Sequence, residues 1–282
     1  VVLNISFTAE RLRIHLDYYT DKLSMKNANS LAESVAKVLR TITEDGADRP
    51  TLLNVISDDD LATMSATAII DDSVAACCHD LILQQAASQP TAPAICAWDG
   101  DLSYADLKSY AYRLASQLQQ LGVGPEVVVA LCFPKSAWAA VAMVAVQIAG
   151  GGFVPLDPSS PQARLQNVLA EARASLILVS PDLEQIALAL GIECLVIDQA
   201  MLQASHDFPK LRPTAVQSSD TSFLIFTSGS TGKPKGMVMT HGGTCTTAAA
   251  YGGVLAVGPG CRVFAFSAYT FDIGVYDVLV TL

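Results

Sequence analysis

An apolar run, Ser222-Phe223-Leu224-Ile225-Phe226, feeds directly into Thr227, Ser228, Gly229, Ser230, Thr231, Gly232, Lys233, Pro234, Lys235 and Gly236. Serine and threonine hydroxyls donate hydrogen bonds to phosphate oxygens, glycines let backbone N–H groups approach an anion, and each lysine adds a compact positive charge. Ordinary surface turns also use Gly, Ser, Thr and Pro, but two or three such residues suffice for a turn. Here hydroxyls, glycines and lysines fall within ten residues, which points to a loop that grips phosphate. The triphosphatase P-loop requires Gly, four residues, then Gly-Lys-Ser/Thr. Gly229 is instead followed three residues later by Gly232-Lys233 and then Pro234, so that spacing fails. Ser230 and Lys233 fit the Ser-x-x-Lys of penicillin-binding enzymes, yet that pattern works at a helix start, which Gly232 and Pro234 break.

A second candidate is Phe271-Asp272-Ile273-Gly274-Val275-Tyr276, inside the otherwise apolar residues 263–282. A carboxylate buried there is costly without a cationic partner, and a substrate ammonium is one such partner. The plainer role for Asp272 is to cap a helix beginning at Ile273, and both roles can hold together. His241, beside Gly242-Gly243, reads as a hydrogen-bonded turn residue rather than an acid or base. Asp58-Asp59-Asp60 reads as solvated surface, because adjacent carboxylates cannot all face one ion. Seven cysteines without a Cys-x-x-Cys pair indicate neither a zinc site nor a disulfide framework, and fit a reducing, cytoplasmic setting. No metal ligands are assigned.

The elements that must position these residues alternate. Residues 2–7 and 12–18 read as strands and residues 30–43 as a helix with Leu31, Val35, Val38, Leu39 and Ile42 on one face. Residues 44–72 lack sustained periodicity and read as a linker. A helix follows over residues 77–88 and a strand over residues 94–98. Ser103 then caps a helix through Asp106, with Leu107, Tyr110, Ala111, Leu114 and Leu118 as its apolar stripe. Strand and helix alternate through residues 126–133, 136–149, 150–157, 161–172, 176–179, 182–190 and 194–197. This is the pattern of α/β layers around a mostly parallel sheet. Residues 224–226 form a further strand that ends at the hydroxyl-rich loop, and ligands in such sheets collect at strand ends.

Phe226 to Gly236 resembles the signature loop of the adenylate-forming superfamily, which includes acyl-CoA synthetases, luciferases and the adenylation domains of nonribosomal peptide synthetases. Leu102-Ser-Tyr-Ala-Asp-Leu107 and Ala149-Gly-Gly-Gly-Phe-Val-Pro-Leu-Asp-Pro158, with Arg164 beyond, resemble two upstream motifs of the adenylation domains, in the right order. The Leu-Asp-Pro-Ser-Ser-Pro variant points to the amino-acid-activating branch. The resemblance implies that residues 76–282 are the N-terminal part of an adenylation domain, with the layered α/β core of the adenylate-forming fold. It assigns ATP phosphates to Thr227, Ser228, Gly229, Ser230, Thr231, Gly232, Lys233, Lys235 and Gly236, although position 233 varies within the motif. Asp272 would meet the substrate α-amino group, with Ile273 and Tyr276 lining the pocket. Residues 1–50 resemble the C-terminal end of a condensation domain, a small α+β remnant without the His-His-x-x-x-Asp-Gly motif, and residues 51–75 would be a linker. The implied reaction is attack of an amino-acid carboxylate on the α-phosphate of Mg-ATP, then transfer to a phosphopantetheine thiol on a carrier domain. An acyl-CoA or aryl-acid ligase, or a truncated non-catalytic module, is the alternative.

Composition bounds these expectations. The chain has 282 residues, 51% hydrophobic and 16% charged, which is enough for a sizeable core. A net charge of −10 argues against a general nucleic-acid or anionic-membrane surface. Residues 137–149 are too short for a membrane span and read as a buried helix. The first residue is Val1, and an apolar segment is interrupted at Leu282, so the chain reads as a piece of something longer. The family's magnesium-binding glutamate, ribose-binding aspartate and catalytic lysine are expected beyond Leu282. No catalytic set is complete, and the isolated chain is expected to be inactive.

Overall fold

Local side-chain chemistry accounts for the first elements. The computed structural model describes residues 1–8, 12–44, 56–67, 73–203, 210–228 and 234–282, and the chain divides into two units, Val1–Asp71 and Asp72–Leu282. In the first, β1 (Val2–Phe7) and β2 (Leu12–Asp17) pair antiparallel, Val2 with Asp17 and Phe7 with Leu12. Helix α1 (Met25–Glu44) begins at Ser24, whose Oγ accepts from the Asn27 N–H at 3.2 Å.

The expected linker contains a helix, α2 (Asp58–Thr67). Its acidic triplet occupies the first turn, where the positive end of the helix dipole favours carboxylates. Ser57 Oγ accepts from the Asp60 N–H at 3.1 Å. Ser30 and Ser57 share a hydrogen bond of 2.9 Å, Ser30 also donates to the Asp60 carboxylate, and Lys37 reaches Asp58 Oδ1 at 2.8 Å. The Lys37 ammonium holds the Asp58 carboxyl below its ordinary range, and the Ser30 and Ser57 hydroxyls do the same for Asp60. The acidic run is thus a helix start tied to α1, and its lack of apolar periodicity hid it.

The second unit opens with α3 (Cys78–Ser88) and a hairpin of β3 (Pro93–Ala97) and β4 (Gly100–Ser103). β4 enters α4 (Tyr104–Gln120) through the expected cap. Ser103 Oγ accepts from the Asp106 N–H at 3.2 Å, and the Asp106 carboxylate accepts from the Ser103 N–H at 3.0 Å. Leu107, Ala111, Leu114 and Leu118 are buried and Tyr110 packs at the edge of the stripe.

Alternation then runs through β5 (Val128–Cys132), α5 (Ala137–Ala149), β6 (Gly152–Leu156), α6 (Gln162–Ala172), β7 (Leu176–Val179), α7 (Glu184–Leu190), β8 (Glu193–Val196) and α8 (Gln199–Gln203). It ends in β9 (Thr221–Ser228), β10 (Pro234–Thr240), α9 (His241–Val254) and α10 (Asp272–Leu279). The six-stranded sheet has the order β10-β9-β6-β5-β7-β8, and every neighbouring pair is parallel except β9 with β10. Side chains divide between its faces with the period of a strand. Val129, Leu131, Phe153, Leu176, Leu178, Phe223 and Ile225 pack with α4 and α5, while Ala130, Cys132, Val154, Ile177, Val179 and Leu224 pack with α6 and α7. Every residue of α5 except Trp138 is buried, as its apolar run predicts. The rings of Phe153 and Phe223, both fully buried, stack at 5.7 Å beside α5. Burial of each ring contributes roughly 1.5–3 kcal/mol.

Candidate functional site

The hydroxyl-rich loop springs from the C-terminal end of β9, a strand parallel to β6 and hence at the end of the sheet where ligands collect. Its two stems are fixed by register. Thr227 pairs with Lys235 and Phe226 with Gly236. Directly opposed residues share a face, so Thr227 and Lys235 project together, both exposed, on the side of the sheet that carries Phe223 and Ile225. Phe226 lies on the opposite side, against the α6 and α7 layer. Its ring closes over Gly236, where an added Cβ would stand 2.9 Å from the ring, so glycine is the residue that lets the hairpin close. Ser228 ends β9, and Gly229, Ser230, Thr231, Gly232 and Lys233 lie outside the described residues.

The base of the hairpin is anchored at both strands. Thr221, which opens β9, donates its N–H and its hydroxyl to the Glu126 carboxylate at 2.8 and 2.9 Å. Glu126 adopts φ 62°, and the expected strand over residues 126–133 begins only at Val128 as a result. After β10, Thr240 caps α9 by accepting from the Gly243 N–H at 3.1 Å. His241 opens that helix rather than lying in a turn. It is fully buried, donates its N–H to the Asp220 carbonyl at 3.0 Å, and its Nδ1 accepts from the Cys78 N–H at 3.3 Å. Burial, with the neighbouring His79 ring in an edge contact at 5.4 Å, pushes the His241 pKa down to about 4. A neutral, buried histidine fits a structural role.

Beneath β9 lies a polar layer that the sequence reading missed. Gln147, fully buried in α5, donates to Ser222 Oγ at 2.8 Å, and Ser222 lies 3.7 Å from Cys78 Sγ. A single glutamine in the run Ala137–Ala149 was the available signal, since a buried amide needs a partner.

Asp272 departs from expectation. It is exposed, so the argument from a buried carboxylate fails. The helix begins at Asp272 itself with Phe271 at the cap position, and Asp272 Oδ1 accepts from the Ile273 N–H at 2.8 Å. Several residues that precede it are also open to solvent, whereas Tyr269 is partly buried against the core. Phe264 and Phe266, in the segment 263–271 outside any strand or helix, are 84% and 80% exposed. Ile273 is exposed as well. Gly274 is obligatory, since a Cβ there would stand 2.2 Å from the Ala268 carbonyl oxygen.

Tyr276 joins the two candidates. Its ring meets Phe223 of β9 edge-on at 5.8 Å and Tyr251 of α9 at 6.3 Å, and burial raises its pKa. The α10 helix therefore docks on the same face of the sheet as Thr227 and Lys235. Sequence reasoning also missed Lys135, which donates to the Ala265 carbonyl and lies 4.7 Å from the Tyr269 ring centroid. Burial lowers the Lys135 pKa and pushes that of Tyr269 up to about 12.

A mostly parallel sheet covered by helices on both faces, with a Thr- and Lys-bearing hairpin at a strand end and a helix docked beside it, defines an α/β protein of the doubly wound class. The profile of the AMP-binding enzyme family matches residues 82–282, and the chain belongs to that family. It is 37% identical over 272 residues to N-benzoylphenylalaninol synthetase apmA of Penicillium brevicompactum, covering 96% of this chain and 11% of that protein. It is 44% identical over 210 residues to nonribosomal peptide synthetase ecdA of Aspergillus rugulosus, covering 73% of this chain and 3% of that protein. The chain thus spans 11% or less of these relatives. Among solved structures it resembles nonribosomal peptide synthetase FmoA3 in its alpha-methyl-L-serine-AMP-bound form, with a TM-score of 0.73 and 25% identity, covering 99% of this chain and 32% of that one. Among the described residues, no helix is long and apolar enough to cross a membrane.

Proposed function

We propose that this chain is the triphosphate-binding part of a synthetase that activates an amino acid with ATP, giving aminoacyl-AMP and pyrophosphate. Thr227 and Lys235 hold β- and γ-phosphate oxygens with Ser228, Ser230, Thr231 and the N–H groups of Gly229, Gly232 and Gly236. Lys233 adds charge. Catalysis by these residues is positioning and charge neutralisation at the phosphates while the carboxylate attacks the α-phosphorus. Mg2+, for which no ligand is assigned among these residues, would supply further charge neutralisation at the phosphates. Residues 1–50 are the end of a condensation domain, residues 51–75 join it to the adenylation part, and the aminoacyl group passes to a phosphopantetheine thiol on a carrier domain of the same cytoplasmic polypeptide.

The observation that carries this reading is the cross-strand pair Thr227–Lys235 at the end of a parallel strand, in a chain of the AMP-binding enzyme family. The amino-acid branch is supported by the likeness to FmoA3, whose structure holds an amino-acid adenylate. An acyl or aryl-acid ligase of the same superfamily is the alternative, in which Asp272 would meet no amine; its exposure leaves it accessible to a substrate in either case. ATP–pyrophosphate exchange on the polypeptide that contains this chain separates the two. Exchange driven by amino acids and lost in Lys235→Ala is expected, whereas equal exchange with deaminated acids would overturn the amino-acid assignment.

A further inference from the structure

Two cysteines 167 residues apart in sequence meet beneath the hairpin. Cys78 opens α3 and Cys245 lies in the second turn of α9, and their Sγ atoms are 3.8 Å apart. Both are free thiols. Cys77, next in sequence, turns away toward the Val216 carbonyl, 3.8 Å from its Sγ. Although Cys78 and Cys245 are only 4% and 3% exposed, both line a cleft of about 810 Å3, together with Ile82, Thr244 and Val280. A solute the size of a peroxide can therefore reach the sulfur pair.

We propose that Cys78 and Cys245 form a modification site, oxidised by a hydroperoxide to a disulfide that ties α3 to α9. The sulfur atoms, already in contact at 3.8 Å, must close to a bond of about 2.0 Å. The two thiols are not equivalent. The contact between the two sulfurs lowers the Cys245 pKa, while the same contact and burial raise that of Cys78. Cys245 is accordingly the sulfur that loses its proton first and Cys78 the one that resolves. The Cys245 thiolate attacks one peroxide oxygen, the O–O bond breaks, and the departing oxygen takes up a proton, leaving a sulfenic acid. The Cys78 sulfur then attacks that sulfur, the S–O bond breaks, and water leaves with the Cys78 proton. Two electrons pass from the thiol pair to the hydroperoxide, and a thiol reductant returns them. Since α9 follows β10 directly and Cys78 N–H already binds His241, the disulfide fixes the base of the phosphate hairpin.

The test is peptide mapping of the polypeptide that contains this chain, treated with hydrogen peroxide, alkylated and digested without reductant. The expected product is a Cys78–Cys245 crosslinked peptide, lighter by two hydrogens than the free pair and lost on adding dithiothreitol. The crosslink should persist in Cys77→Ser and vanish in Cys245→Ser. The unmutated protein alone can overturn the proposal. It fails if both cysteines remain alkylated at every peroxide dose, if Cys77 is the crosslinked residue, or if oxidation ends at a sulfinate on Cys245.

Discussion

Phe226 lies directly across from Gly236, and its ring occupies the space a side chain at position 236 would need, with the nearest ring atom 2.9 Å from an added Cβ. Gly236→Ala must therefore displace the ring or splay the hairpin. Overpacking of this kind costs about 1–3 kcal/mol, and the loss should shrink when Phe226 is also trimmed to Leu. Chemical denaturation of the two single variants and the double variant measures the coupling. Simple additivity would mean that the ring and the glycine do not constrain each other.

The Glu126 carboxylate sets where β9 begins, because it receives both donors of Thr221. Glu126→Ala leaves the buried Thr221 N–H without a partner and keeps a non-glycine residue at positive φ. A loss of about 1–3 kcal/mol is expected. Glu126→Gly relieves the backbone and should cost less than alanine, and Glu126→Gln, which retains an acceptor, should cost least. Melting temperatures in the order Gln, Gly, Ala from highest to lowest would support the clamp, and an inverted order would refute it.

Much of this arrangement was legible because it is local. Ser103 and Asp106 sit three residues apart and form the capping box their spacing predicts, and the apolar run of α5 is buried on nearly all sides. The α/β alternation was visible for the same reason, since each period is confined to one segment. What escaped depends on distant residues. The Gln147, Ser222 and Cys78 layer is assembled from three elements, and no single stretch of sequence displays it. Asp272 was misjudged because an apolar neighbourhood in sequence was equated with burial. Phe264, Phe266 and Phe271 are exposed while Val275, Val278 and Leu279 are buried, so the apolar stretch is two-sided and Asp272 falls on its open side. The helix within the expected linker was missed for the opposite reason, since a helix held by capping and polar contacts carries no apolar stripe, while the acidic triplet is largely solvated as expected, with Asp58 and Asp59 exposed.

Buried His241 makes stability depend on pH. The folded protein binds its proton only near pH 4, whereas the unfolded chain binds it near 6.5. The native state thus favours the neutral ring, and its stability is full above about pH 6.5 and is lost as pH falls toward 4. The whole shift corresponds to roughly 3 kcal/mol. His79, whose pKa is also lowered by burial, adds to the slope in the same direction. Urea denaturation between pH 7.5 and 4.5 should show this decline, and His241→Asn should flatten it. A variant with an unchanged pH slope would place the titration elsewhere.

Asp272 offers the sharpest separation of stability from function. It is solvent-exposed, and its carboxylate accepts from the adjacent Ile273 N–H. Asp272→Asn keeps an oxygen able to accept that bond, so the melting temperature should not change measurably. If the proposed amine contact is made in the complete polypeptide, the same substitution removes the charge that faces the substrate ammonium. Loss of one member of a desolvated charge pair typically corresponds to about a 100-fold or larger effect. The loss should appear with amino acids and be absent with deaminated acids, because only the former carry the cation. Pyrophosphate exchange with both substrate classes, on wild type and Asp272→Asn, reads the difference directly. No decline with either class would make Asp272 a helix-start residue and nothing more, and an equal decline with both would refute the amine contact.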